Sequence, residues 1–101
     1  MKSIQIGVPI ELPLSELPPG ISILRHEHDI IMLSEEQRNW PIYVVSAASS
    51  FAISVLANYL YDTIKHAAHK EPKAIMIEEE KVDFQRGEIE SVLRRRIMIQ
   101  E

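Results

Sequence analysis

The sequence predicts an α+β fold, a small antiparallel sheet covered by one long helix and a C-terminal helix in the order β-β-α-β-β-α. Three observations carry this reading. Apolar residues alternate strictly near the start, a long uncharged run occupies the middle, and a short pair of alternating segments precedes a final stretch with helical spacing. At 101 residues the chain is read as a single domain over 1–101, with residues 1–20 a proline-rich extended arm or edge strand.

Between Ile4 and Leu14 the apolar residues Ile4, Ile6, Val8, Ile10, Leu12 and Leu14 fall on every even position. That period of two places them on one face of an extended segment. Pro9 and Pro13 each lack the N–H a ladder requires, which assigns the segment to a sheet edge or to an arm across a neighbour. Leu17-Pro18-Pro19-Gly20 reads as a turn, with Gly20 free to take positive φ. The next segment, ISILRHEHDIIML over 21–33, is rich in β-branched and aliphatic residues and predicts either two short strands turning near Glu27–Asp29 or, the favoured reading, one long or bent strand. A polar connector, residues 34–39, follows.

Trp40-Pro41 predicts a helix start, because proline at the first helical position loses no bond the helix would have made. The helix is expected over 41–70 and is stopped by Glu71-Pro72. Residues 74–78 and 82–84 predict two short strands around a Glu79–Lys81 tip. Gly87 then opens a last helix with Ile89, Val92, Leu93 and Arg96 at i, i+3, i+4, i+7 spacing.

No charged residue lies between Arg38 and Asp62. At 100° per residue the run separates into faces. Ile53, Leu56, Ala57, Leu60 and Ile64 form a core stripe, and Phe51, Val55 and Tyr59 lie nearly opposite. Between them runs a ladder of Ser46, Ser50, Ser54, Asn58 and Asp62. A helix lying on a sheet needs only one apolar face. The Phe51/Val55/Tyr59 face therefore calls for a second cover, and the candidates are the last helix, a second copy or lipid. Insertion of residues 42–61 into a membrane meets the length of about 20 residues that a span needs. Four serines, Asn58 and the leading proline count against it.

The net charge of −4 speaks against general nucleic-acid binding. With no cysteine, thiol catalysis and thiolate metal sites are excluded, and the composition suits a reducing, cytoplasmic setting. The N-terminal residues lack the pattern of a secretory signal. His26 and His28 in His26-Glu27-His28-Asp29 would share one strand face, the geometry of a His-x-His pair for zinc or another divalent metal. Asp62, His66 and His69 could add a ligand. Ser49, Ser50, Asp62 and His66 include the residue types of a hydrolase triad, yet all sit on one predicted helix without the sharp turn that exposes a nucleophile. Neither set amounts to a complete catalytic site, and the enzyme reading ranks below a non-catalytic one. Glu78–Glu80 read as a solvated tip, and Arg94–Arg96 suit the C-terminal end of a helix dipole.

From Ser50 to Ile97 the order of SFAISVLANYLYDTIKHAAHK, AIMIEEEKVDF and GEIESVLRRRI resembles the small bacterial modules called effector-associated constant components. The resemblance implies a non-catalytic accessory module in a bacterial defence or signalling system. The sequence reading is thus a cytoplasmic protein–protein interaction module, a homo-oligomer or a binder of a protein partner, that uses Phe51, Val55 and Tyr59 and has no cofactor. The alternatives are a metal-binding protein or metal-dependent enzyme on His26 and His28, and a small membrane-associated protein.

Overall fold

The computed structural model describes residues 3–33, 36–68 and 71–99, with side chains except at 14, 28–33, 36–39, 98 and 99. The elements are β1 (Ser3–Gly7), β2 (Ile21–Leu33), β3 (Glu36–Ala47), α1 (Ser50–Ala67), β4 (Ala74–Ile77), β5 (Glu80–Asp83) and α2 (Arg86–Ile99). The strands form one five-stranded sheet in the order β2-β3-β1-β4-β5, antiparallel at every pairing. The α+β class is as expected, with one strand more than the sequence reading gave.

That extra strand comes from the uncharged run. Residues 41–47, expected to begin a helix, instead continue a strand that starts at Glu36, and the helix begins only at Ser50. Ile42-Tyr43-Val44-Val45 are β-branched or aromatic, types that fit a pleated, half-buried surface. Pro41 is tolerated because it stands where β1 ends and contributes its carbonyl, which accepts from Val8 N–H at 3.2 Å. The helix start is set by Ser49, whose backbone is extended and whose hydroxyl accepts from Ala52 N–H at 3.2 Å.

The edge placement of the first segment is also corrected. β1 lies at the centre of the sheet, between β3 and β4. Pro9 and Pro13 fall after its end at Gly7, so the ladder loses no donor. Ile6 is paired with Tyr43 on one side and Ile77 on the other. The turn before β2 has Gly20 at φ +86, and a Cβ there would approach the Ala52 Cβ to 3.2 Å. Both a positive φ and a close passage beside α1 therefore call for glycine.

The pleat sorts the core. Ile4, Ile6, Val8, Tyr43, Val45, Ile75 and Ile77 point to the face covered by the helices and share one cluster with Ile53, Leu56, Ala57, Leu60 and Ile64 of α1 and Ile89, Val92, Leu93 and Ile97 of α2. The expected core stripe of the long helix is thus the one buried. On the opposite face Trp40 and Ile42 are buried together, with Met76 packed against them. Ile42 and Met76 flank Gly7 in register, where the absent side chain leaves room for them to close over the strand.

β2 is a single 13-residue strand, as expected, with a bulge between Ile23 and Arg25. Among the described residues the part of β3 that pairs with β1 is Ile42–Ser46. Farther along, residues 29–33 of β2 and 36–40 of β3 pair, among the described residues, only with each other and extend as a ribbon.

Candidate functional site

α1 begins where the sheet's β2 border begins. Ile21 is paired with Ala47, and Ala48 N–H donates to the Gly20 carbonyl at 2.8 Å. Phe51, in the first turn of α1, is 78% exposed, and Leu24, in the β2 bulge, is 62% exposed. Among the described residues these are the large hydrophobic side chains left in water. The other members of the predicted face, Val55 and Tyr59, are half-buried and pack on the core margin. Tyr59 also donates to the Pro13 carbonyl at 3.3 Å. The segment after β1 therefore runs along this side of α1, and the face is most open at Phe51.

Of the predicted ladder, Ser50 and Ser54 form a polar seam between the two helices, whereas Ser46 lies in β3 rather than on the helix. Arg94 of α2 donates to Ser50 Oγ at 2.7 Å and to Ser54 Oγ, and its Nε donates to Glu90 Oε2 at 3.3 Å. Ser54 in turn donates to the same Glu90 oxygen at 3.1 Å, and Arg86 donates to Glu90 Oε1 at 3.0 Å. The neighbouring arginines turn to the hairpin. Arg95 binds both oxygens of Glu80 at 2.7 and 2.6 Å, and Arg96 binds Oε1 at 3.0 Å. The Arg94–Arg96 run is thus engaged within the chain, and Glu80 lies at the start of β5, so the hairpin tip is Glu78-Glu79 with Glu78 at φ 55.

These pairings hold two carboxyls below their ordinary value of 4.5. For Glu80 the hydrogen bonds from Arg95 lead, and for Glu90 the hydrogen bonds from Arg94 and Ser54 lead. A carboxyl with a depressed folded-state value stabilises the fold fully above its unfolded value and loses that contribution as pH falls through the folded one. The Glu80→Gln/Glu90→Gln double variant is accordingly expected to show a smaller loss of melting temperature between neutral pH and values below 4.5 than the wild type. Thermal melts across that range check this. Identical slopes would mean the two arginine networks contribute nothing measurable.

The second polar node lies at the sheet border beside the segment after β1. Tyr43 has its ring fully buried, accepts from Leu12 N–H at 2.7 Å and donates to Glu11 Oε2 at 3.1 Å. His26 stacks on the Tyr43 ring with centroids 4.5 Å apart, and its Nε2 lies 3.1 Å from the same Glu11 oxygen. Burial, opposed by the Leu12 hydrogen bond and reinforced by the Glu11 charge, pushes the Tyr43 phenol up to about 12. A phenol so placed stays protonated at neutral pH and acts as a fixed donor, holding residues 11 and 12 against the sheet.

His26 and His28 stand opposite Tyr43 and Pro41 in register, two positions apart and so on one face of β2. Among the described residues no group of three or more His, Asp or Glu is arranged to hold a metal ion. Asp62 and His66 meet at the C-terminal end of α1, where the His66 ring lies 2.7 Å from the Asp62 backbone carbonyl, and His69 lies outside the described residues. The triad residue types are held apart by the helix. Ser50 and His66 are separated by about 24 Å of rise along α1, and Ser49 is occupied as its cap.

No described helix is long and apolar enough to cross a membrane. The stretch 42–61, which a membrane insertion would require as one helix, is divided between β3 and α1. No family model matches the chain, and neither a curated protein nor a solved structure matches it.

The residue reasoning missed at this border is Leu24. Within an alternating strand it reads as one apolar position among several, and only the bulge, which shifts the pleat, turns it outward.

Proposed function

We propose that this chain is a non-enzymatic protein–protein interaction module, cytoplasmic and self-associating, that works through the Phe51, Val55 and Tyr59 face of α1. The observation that carries this reading is Phe51, an aromatic side chain 78% exposed at the margin of an otherwise well-covered core. A single exposed apolar residue is common on protein surfaces. Here it continues into the half-buried Val55 and Tyr59 along the helix. The separation of the triad residue types and the in-chain pairing of the arginine run support the same class. So does the resemblance of residues 50–97 to effector-associated constant components, which as a class are accessory modules in bacterial systems.

Phe51→Glu is the test. Its exposure predicts that the melting temperature changes little, while self-association weakens by about tenfold or more, since aromatic anchors carry much of an interface's energy. Sedimentation equilibrium of both proteins measures the effect. A variant that associates as the wild type does would rule out this face.

A further inference from the structure

We draw no further inference here: the strongest candidate, the outer edge of β2 that closes the sheet order opposite β5, carries nothing because nothing in the structure shows what covers it.

Discussion

Ile6→Ala is expected to destabilise the domain by about 3 kcal/mol, the central range for removing a buried aliphatic side chain. Ile6 is fully buried, on the helix-facing side of the strand at the middle of the sheet, with Tyr43 and Ile77 as its register neighbours. Truncation opens a cavity between two strands and the helices, where collapse would have to move several elements together. For a domain of this size the loss corresponds to roughly 15 °C in melting temperature. Ile10, half-buried beyond the end of β1, serves as the comparison. Ile10→Ala should cost clearly less, since fewer of the lost contacts come from the interior. Denaturant melts of the two variants decide it. Equal effects would contradict the central position of β1.

Tyr43→Phe is expected to cost about 2 kcal/mol, although it removes a single oxygen. The hydroxyl is the acceptor for Leu12 N–H in a buried setting and the donor to Glu11. Without it the Leu12 amide is left as a buried donor with no acceptor, and that desolvation is the larger part of the penalty. Tyr59→Phe provides the contrast. Its hydroxyl donates to Pro13 in an exposed place, where water can replace it, and the variant should lose under about 1 kcal/mol. Amide exchange adds a local readout. Leu12 should exchange faster in Tyr43→Phe relative to the global unfolding rate, and unchanged protection there would mean that the hydroxyl does not hold this segment.

These residues also show how much the sequence makes legible. β2 and the core stripe of α1 can be read directly, because segments rich in β-branched and aliphatic residues and the 3.6-residue period are strong local signals. The Asn39–Tyr61 run cannot be read that way. An uninterrupted apolar stretch has no period of two to expose a buried strand, and Trp40-Pro41 imitates a helix start. The discriminating signal was Ser49, a capping residue placed immediately before the helical stripe, together with the β-branched Ile42, Val44 and Val45. Proline misled at the other end for a related reason. Pro9 and Pro13 belong to the segment that leaves β1 rather than to the strand, and no local pattern marks the end at Gly7.

Of the candidate site, Phe51 is legible because it lies opposite the core stripe. The partial cover of Tyr59 by Pro13 depends on a contact spanning 46 positions in the chain, which periodicity does not encode. The serine ladder is visible as a row, but its partners Arg94 and Glu90 lie on another helix. The outward turn of Leu24 depends on the bulge and so on pairing with β3.

The claim that joins these observations is that the chain associates with itself. Its molar mass in solution, measured by light scattering from micromolar to millimolar concentration at neutral pH, tests it most directly. Self-association predicts a rise from 11.6 kDa toward twice that value. A mass that stays at 11.6 kDa throughout would contradict it.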